Sequence, residues 1–393
     1  MKAKKPNVKD TMQIHSRAKV EFYKTYLERY IAILCQSQYV KHIRIYDVFC
    51  GMGVYEDGGK GSPVVAYDTI KSVYDTLNGN GTKITLTVND KSQERISKVT
   101  DYVNSHKHSY CTVRPFNLDV NQLFEKIIPE ISATTNDTRN LVFIYPYGYK
   151  DIKKELLFNF MRNGYTEVIL FLPISHMQRF TNAAIQDEES ITQYEPLRRF
   201  VYSFFPDCNH PIRQDKVKVE DYIQYIVDAL KCGNRYYATS YYIERDRTNY
   251  FALFFMSSNV LGFQKILETK WKLDEDHGRG FKLPGEMRDL FEKDNALEAK
   301  NENARKLKEI LRKYLERPLT NEDIYQLVIR NEFLPKHANE VLSEIQKENP
   351  KFVVWDIKNG KPARKGTFLI SYKPNRLLKM YISNENNQNR MDR

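Results

Sequence analysis

The sequence has no apolar run long enough to cross a membrane and few residues that build disulfide or metal frameworks. A membrane-spanning helix needs about 20 consecutive apolar residues, and the basic N-terminus, MKAKKPNVKD, lacks the apolar core of a secretion signal. The chain has 5 cysteines, and none stands in a CxxC or Cys/His ligand spacing. We therefore expect a cytoplasmic protein with reduced thiols, no metal site and no membrane partner.

Length and charge set the broad class of the protein. The 393 residues suggest two or three domains, at about 150 residues each. The formal net charge is +11, and residues 361–393 alone carry eight Lys/Arg against two acidic residues. Such a balance favours a polyanionic partner, so we expect a nucleic-acid partner.

Strand-like and helix-like segments alternate through the first half of the chain. The runs at 140–146 and 166–173 are continuously apolar, as in strands that are buried on both faces of a parallel sheet. The alternation predicts an α/β domain with a Rossmann-like, doubly wound, mostly parallel sheet.

The alternation of strand-like and helix-like segments is interrupted twice, and these interruptions set the predicted domain boundaries. Polar, helical residues interrupt the sheet before a hairpin-like pair of strands, and a helix-helix-helix-hairpin order near the C-terminus is typical of a winged helix. The predicted organisation is a helical segment at 1–36, a Rossmann-like domain at 37–274 with a helical insertion at about 176–232, a linker at 275–299, a winged-helix domain at 300–382 and a polar tail at 383–393.

A glycine-rich loop follows the first strand, in the stretch IRIYDVFCGMGVYEDGGKGSP. Glycines between a strand and a helix let backbone N–H groups approach a ligand closely. The spacing Asp47-x-Phe49-x-Gly51-x-Gly53 differs from the GxGxxG of dinucleotide-binding folds. It resembles the first motif of S-adenosylmethionine-dependent methyltransferases.

The next two strands end in polar residues, at Asn89-Asp90 and at Asn117-Leu118-Asp119. An acid at the first place bonds ribose hydroxyls, and an acid or amide at the second reads an adenine amino group; both lie at the crevice edge of a parallel sheet. The alternative is an empty Rossmann-like scaffold in which the acids cap helices. The predicted cofactor is S-adenosylmethionine, held by Asp47, Phe49, Gly51, Gly53, Asp90, Asn117 and Asp119.

The fourth strand should present the catalytic group. Methyltransferases that modify nucleic-acid amines often carry Asp/Asn-Pro-Pro-Tyr/Phe here, with an aromatic ring that stacks on the extruded base. This chain places a phenol, Tyr145, where the polar residue stands. The predicted catalytic residues are Tyr145, Pro146, Tyr147 and Tyr149; the alternative is that the tyrosines pack the rim of the sheet. Cytosine-5 methylation is excluded because no cysteine nucleophile follows this strand.

Four segments together resemble the three-Cys-motif partner (TcmP) family over residues 14 to about 280: IHSRAKVEFYKTYLERYIAIL, YDVFCGMGVYEDGGKGSPVVA, FIYPYGYKDI and LGFQKILETKWKLD. The resemblance implies a methyltransferase-like protein with a winged-helix domain. It also implies a radical-type partner that carries the three-cysteine cluster, and a role in DNA/RNA modification or phage defence. The family's fourth-strand aspartate is Tyr145 here, so two hypotheses stand: an active methyltransferase, or an adaptor between nucleic acid and the radical-type partner.

Two further groups are predicted to bind substrate. His15 and Lys19 lie four residues apart on one helical face, and the family match implies that they point over the crevice; a solvated helix edge is the alternative. In the C-terminal domain, a basic turn would contact phosphate, although winged helices also serve as protein-interaction modules. Its residues are Lys358, Lys361, Arg364 and Lys365.

Overall fold

The computed structural model describes residues 11–77, 81–146, 148–186, 192–214, 216–246, 248–283 and 292–383. Tyr147, most of the predicted tail, and parts of the predicted linker and helical insertion lie outside these residues. The chain forms two compact units: an N-terminal unit up to Leu273 with 279–283, and a C-terminal unit with 274–278 and the residues from Pro284 onward. The domain boundaries given above remain predictions.

The N-terminal unit is built on one eight-stranded sheet with the order β3-β2-β1-β4-β5-β7-β6-β8. β1 to β5 pair in parallel, whereas β7 is antiparallel to both β5 and β6. The order reverses between β1 and β4, which makes the predicted Rossmann-like, doubly wound fold. The strands are β1 His42–Asp47, β2 Lys83–Asn89, β3 Cys111–Phe116, β4 Thr138–Ile144, β5 Thr166–Leu172, β6 Tyr237–Asp246, β7 Asn249–Ser257 and β8 Gly280–Phe281.

Strand sequence explains strand position. All seven residues of β5 and six of the seven in β4 are buried, as expected for central parallel strands covered on both faces. β3 lies at the edge, is half-exposed and contains Pro115, which lacks the N–H that an inner strand would use.

Helices cover both faces of this sheet. Phe143 of β4 stacks on Tyr23 of α1 at 4.3 Å between ring centroids, whereas its neighbours Val142 and Ile144 join the core beneath α4 and α5. The helices are α1 Ile14–Cys35, α2 Ser62–Leu77, α3 Gln93–Ser105, α4 Val120–Ser132, α5 Lys154–Met161, α6 Ile174–Gln186, α7 Glu195–Phe204, α8 Pro211–Gln214, α9 Val219–Lys231 and α10 Val260–Leu273. The described residues between β5 and β6 include the helices α6 to α9 and non-helical segments, and the helical insertion at about 176–232 remains a prediction.

Among its described residues, the C-terminal unit combines three helices with a four-stranded sheet of order β11-β10-β12-β9. Thr320 and Asp323 form a reciprocal capping box at the start of α12. The winged-helix assignment remains a prediction. The elements are α11 Glu292–Tyr314, β9 Leu319–Thr320, α12 Asn321–Arg330, α13 Pro335–Glu348, β10 Phe352–Asp356, β11 Lys361–Pro362 and β12 Leu378–Ile382.

The second strand of the hairpin predicted near the C-terminus does not form where the sequence suggests it. The sequence TFLISY suggests a strand after the basic turn, but residues 367–372 form no strand, and the long antiparallel partner of β10 is β12. Leu369 and Lys373 adopt left-handed backbone angles, with φ of 52° and 46°, which interrupt an extended run. Phe368 and Ile370 are nevertheless buried, so the apolar pattern reflects packing of an irregular segment.

Within the described part of the chain, no helix combines the length and apolarity that a membrane crossing requires. The described His, Cys, Asp and Glu residues also form no group of three that would hold a metal ion.

Candidate functional site

A cavity of about 630 Å³ opens at the carboxyl edge of the parallel strands, in the N-terminal unit. This volume lies in the range of small-molecule sites, about 300–1,000 Å³. Its β1–β3 half is lined by Phe49, Asn89, Asp90, Lys91, Leu118 and Asp119. Its β4–β7 half is lined chiefly by Tyr149, Asp151, His176, Arg179, Arg245, Tyr250 and Phe251. The cavity therefore spans the point at which the strand order reverses, where ligands of doubly wound sheets bind.

The glycine turn after β1 has a conformation that glycine accepts most readily. Gly51 and Gly53 have φ of 66° and 71°, in the left-handed region that disfavours other residues. A Cβ on Gly53 would lie 2.7 Å from Cγ2 of Val99, whereas one on Gly51 would meet open space. The N–H of Gly61 donates to the carbonyl of Gly53 at 2.6 Å, which closes the loop before α2.

Asp90, at the end of β2, ties this turn to the sheet. Its carboxylate, 3% exposed, accepts hydrogen bonds from the N–H groups of Gly51 at 3.2 Å and Ser92 at 2.8 Å, and from the Arg95 guanidinium at 3.2 and 3.4 Å. These contacts occupy about four acceptor positions, the capacity of one carboxylate. Asp90 lines the cavity as predicted from its place after β2, and it also shapes the glycine turn.

The neighbouring polar residues bind the strand ends to each other. Asn89 donates to the carbonyls of Val48 and Leu118, both at 3.2 Å, and accepts from the Leu118 N–H. Asn117 donates to the Asp90 carbonyl at 2.9 Å. Asp119 is the N-cap of α4 and forms a capping box, while it also lines the cavity. The structure therefore places these residues at one edge, where their side chains hold the rim in shape.

Asp47 differs from the other edge residues because its carboxylate is fully buried and only weakly compensated. Asp47 is fully buried, and neither carboxylate oxygen has a hydrogen-bond partner among the described residues. Burial raises its pKa to about 7, against the opposing effects of the Ser62 hydroxyl and the Lys19 ammonium. A buried carboxylate without a hydrogen-bond partner is unusual in a folded protein, because the cost of removing its charge from water is not repaid by hydrogen bonds.

Lys19 of α1 lies on the ring of Tyr145. Its Nζ is 3.1 Å from the centroid of that ring and 5.6 Å from the centroid of Phe171. Lys19 is 4% exposed and, within the described ranges, forms no ion pair. Burial lowers its pKa to about 7, while the charge of Asp47 raises it. The predicted helix face of His15 and Lys19 is therefore not a solvated edge at Lys19.

Tyr145 has an environment that differs from the one predicted for a stacking residue. One ring face meets the Lys19 ammonium, and Phe171 packs against the ring edge-on at 4.5 Å. Burial raises the pKa of Tyr145 to about 12, so its hydroxyl stays protonated at neutral pH. The residue does not line the cavity, so its place agrees with the alternative that it packs the rim of the sheet.

Other residues of the fourth-strand segment do reach the cavity. Pro146 and Tyr149 line it, and the Tyr149 hydroxyl lies 3.3 Å from Nδ1 of His176. Tyr147 is outside the described residues. Of the two tyrosines whose positions are described, Tyr149 is thus the one that a ligand in the cavity would meet.

His15 joins an aromatic wall behind the cavity. Its ring stacks on Phe251 at 5.3 Å, and Phe251 stacks on Phe171 at 5.1 Å. Burial, with the nearby cations Arg245 and Lys19, lowers the pKa of His15 to about 4. The imidazole is therefore neutral at physiological pH. It contacts Phe251 by ring stacking and not as a cation.

Sequence reasoning missed the polar side chains of the β4–β7 half, namely His176, Arg179 and Arg245. His176 follows the end of β5 by four residues, so the rule that sites form at the carboxyl edge would have found it. Arg245 lies near the tip of the β6–β7 hairpin, and only the antiparallel insertion of β7 beside β5 brings that tip to this edge. No local motif marks Arg245 in the sequence.

In the C-terminal unit, the predicted phosphate-binding residues are all exposed: Lys358, Lys361, Arg364 and Lys365. The Gly366 N–H donates to the Gln346 side chain at 2.9 Å, which holds the end of this turn against α13. The acids Glu344 and Glu348 of α13 pair with Lys308 and Arg312 of α11.

The five cysteines are free thiols in the structure. Cys50, in the glycine turn, is buried, and burial raises its pKa above that of an ordinary thiol. This agrees with a small buried thiol in the loop and not with a nucleophile.

Comparison with protein-family models gives no match, and comparison with curated protein sequences gives none. Among solved structures, the chain is similar to a putative O-methyltransferase from Klebsiella pneumoniae, with 11% identity, a TM-score of 0.31 and coverage of 60% of this chain and 80% of that one. For the O-methyltransferase from Bacillus cereus in complex with SAH, the identity is 10%, the TM-score is 0.30, and the match covers 60% of this chain and 80% of that one. For the O-methyltransferase TomG from Streptomyces achromogenes in complex with SAM, the identity is 11%, the TM-score is 0.30, and the match covers 62% of this chain and 87% of that one. Likenesses at these scores carry no argument about activity.

Proposed function

We propose that the N-terminal unit binds S-adenosylmethionine in the β1–β3 half of the cavity and directs its methyl group to a nucleic acid in the β4–β7 half. The resemblance to TcmP, and the modification or phage-defence setting that it implies, belong to this proposal. The bound cofactor would supply the electrophilic methyl group; the protein would supply position and charge.

The observation that carries the proposal is the buried Asp47 carboxylate, which has no hydrogen-bond partner in the described chain. Asp47 does not line the cavity itself; it lies buried behind the lining, at the end of β1, directly before the left-handed glycine turn and two residues before Phe49, which does line it. An ammonium group on a ligand would compensate the buried charge, and the α-amino group of the cofactor is such a group. The sequence motif and this buried carboxylate therefore support the same ligand.

The remaining edge residues fit a nucleoside. Asp90 and Asp119 face one cavity from adjacent strand ends, so in the proposed complex one acceptor would lie near the sugar and the other near the purine. Because Asp90 already accepts about four hydrogen bonds, a ribose hydroxyl would replace one of its two contacts with Arg95. The longer of these contacts, at 3.4 Å, is the weaker and would be lost first.

A nucleic-acid acceptor is supported by charge in each unit, considered separately. The β4–β7 half of the cavity carries three cationic residues, Lys150, Arg179 and Arg245, against the single carboxylate of Asp151. In the C-terminal unit, two of the acids that would repel phosphate from α13 are paired with cations of α11, and the turn from Lys358 to Lys365 is exposed and basic. Such contacts give sequence-independent affinity.

A second candidate function is an adaptor that binds nucleic acid and a radical-type partner without methyl transfer. The environment of Tyr145 favours it, because Lys19 and Phe171 cover the residue that stands in the place of the usual catalytic carboxylate. A protonated phenol in that position is a poor acceptor for the proton of a target amine.

The two candidates separate in a methyl-transfer assay with tritiated S-adenosylmethionine and pools of single-stranded DNA, duplex DNA and RNA. We expect acid-precipitable, nuclease-sensitive label on at least one pool, and at least tenfold less label with the Asp47→Asn variant. Cofactor binding without label on any pool would contradict methyl transfer to nucleic acid and support the adaptor.

A further inference from the structure

The β4–β7 half of the cavity has a composition that the cofactor does not require. Guanidinium groups of Arg179 and Arg245 approach it from α6 and from the β6–β7 hairpin, while Tyr149, Tyr250 and Phe251 supply aromatic surface. Guanidinium groups bind oxyanions and aromatic rings stack on planar groups, so this composition suits a ligand that has both.

Of the two cations, Arg245 gives the stronger support for an anionic ligand. It is exposed and, in the part of the chain that the structure describes, its guanidinium has neither an ion pair nor a hydrogen bond. The adjacent Asp246 does not compensate it directly, since the Asp246 carboxylate accepts hydrogen bonds from Thr248 and Asn249 within its own turn. Those bonds hold the turn that directly follows Arg245 in the chain.

Arg179 is anchored beside the same hairpin. One of its nitrogens donates to the Thr248 carbonyl at 2.6 Å, which leaves other N–H groups of the guanidinium for a ligand. A guanidinium that is fixed by the protein and still has free donors is preorganised for an oxyanion, because little side-chain freedom is lost on binding.

The aromatic surface is likewise fixed. Phe251 is held between His15 and Phe171, at ring distances of 5.3 and 5.1 Å. Tyr149 is held by its hydroxyl contact with His176 and by edge-on packing against Phe200 at 6.3 Å. The site therefore offers a rigid apolar wall next to two cations.

We propose that Arg245 and Arg179 form a phosphate subsite that holds the 5′-phosphate of the nucleotide to be modified, with the base against Tyr149 and Phe251. The assignment rests on the proposed function, in which the other half of the cavity holds the cofactor. Arg245 is then a substrate-positioning residue that distinguishes a nucleotide from a nucleoside.

The test is calorimetry of the full chain with each 5′-mononucleotide, its parent nucleoside and inorganic phosphate, with and without saturating S-adenosylhomocysteine. With the β1–β3 half filled, we expect at least one nucleotide to bind tenfold or more tightly than its nucleoside, as for a charge-assisted contact. Arg245→Gln should reduce that difference at least threefold, because only Arg179 then remains to bind the phosphate, and should leave nucleoside affinity unchanged. Arg162→Gln, an exposed arginine that follows α5, is the matched control and should bind as the wild type does.

Equal affinity for nucleotide and nucleoside in the wild type would overturn the subsite, as would an Arg245→Gln variant with wild-type nucleotide affinity. Inorganic phosphate that binds as tightly as every nucleotide would overturn the role of the rings. Nucleotide binding that depends on Arg245, without any binding of S-adenosylhomocysteine, would leave the phosphate subsite standing and contradict the proposed cofactor.

Discussion

Replacing Asp47 by asparagine is expected to make the protein more stable and to weaken its binding of S-adenosylhomocysteine at least a hundredfold. The wild-type carboxylate is buried without a hydrogen-bond partner among the described residues, so its negative charge opposes folding in the absence of ligand. The same charge is the proposed partner of the cofactor's ammonium group, and a neutral amide cannot replace it.

The pH dependence follows from the direction of the pKa shift. The pKa of Asp47 is raised to about 7 in the folded protein, against about 3.9 in an unfolded chain. A raised carboxyl pKa destabilises the folded state fully above pH 7, and the penalty shrinks as pH falls toward 4. We expect Asp47→Asn to add about 1–3 kcal/mol to the free energy of unfolding at pH 8, and clearly less at pH 5. At pH 8, Lys19, with a pKa of about 7, is already mostly neutral.

Intrinsic tryptophan fluorescence can report the unfolding of the N-terminal unit separately. The chain has 2 tryptophans, Trp271 in the N-terminal unit and Trp355 in the C-terminal unit, so a Trp355→Phe background leaves one reporter for the N-terminal unit. Urea unfolding in this background compares Asp47→Asn with Asp101→Asn, an exposed control. A free energy of unfolding that is lower by more than 1 kcal/mol in Asp47→Asn than in the wild type would count against the role given to Asp47. Unchanged binding of S-adenosylhomocysteine would do the same.

The substitution Gly262→Ala is expected to destabilise the N-terminal unit by about 3–5 kcal/mol, at the high end for a single methyl group. A Cβ at Gly262 would overlap Oε1 of Glu167 and lie 3.2 Å from Oγ of Ser257. Glu167 is buried on β5 and accepts hydrogen bonds from the hydroxyls of Tyr26 and Ser257. The added methyl must break this network or push α10 from the sheet.

This change also reaches the site, because Tyr26 belongs to α1, the helix that carries His15 and Lys19. We therefore expect weaker binding of S-adenosylhomocysteine in Gly262→Ala together with the loss of stability. Leu261→Ala, at a neighbouring and exposed position, is the control and should change the free energy of unfolding by about 0.5 kcal/mol or less. An unfolding free energy of Gly262→Ala within 1 kcal/mol of the wild type would show that this packing is wrong.

Those features that depend on local pattern were accessible from the sequence. Apolar runs predicted the central strands, and the glycine spacing predicted a tight turn after β1, where Gly51 and Gly53 have positive φ. The rule that parallel strands end at one edge placed Asp90 and Asp119 together, and both line the same cavity. The capping box at Thr320 is a local feature of the same kind, because its two partners are three residues apart.

What depends on distant contacts was not accessible. The ring of Tyr145 is covered by Lys19, a residue on a different element, and the residue types alone do not reveal that contact. Arg245 reaches the cavity only because β7 inserts between β5 and β6. The segment TFLISY has a strand-like composition, yet its left-handed residue Leu369 shows that packing overrides the local propensity.

The most direct test of the adenosyl site is a titration of the wild-type chain with S-adenosylhomocysteine. Calorimetry measures the heat of binding, and urea unfolding measures the change in stability at each ligand concentration. We expect binding of one ligand per chain, with a negative heat-capacity change from burial of apolar surface. At about 100 times the dissociation constant, the ligand should add about 2.7 kcal/mol to the free energy of unfolding. Absence of heat, together with an unfolding curve that millimolar ligand leaves unchanged, would contradict a nucleoside pocket at the carboxyl edge of this sheet.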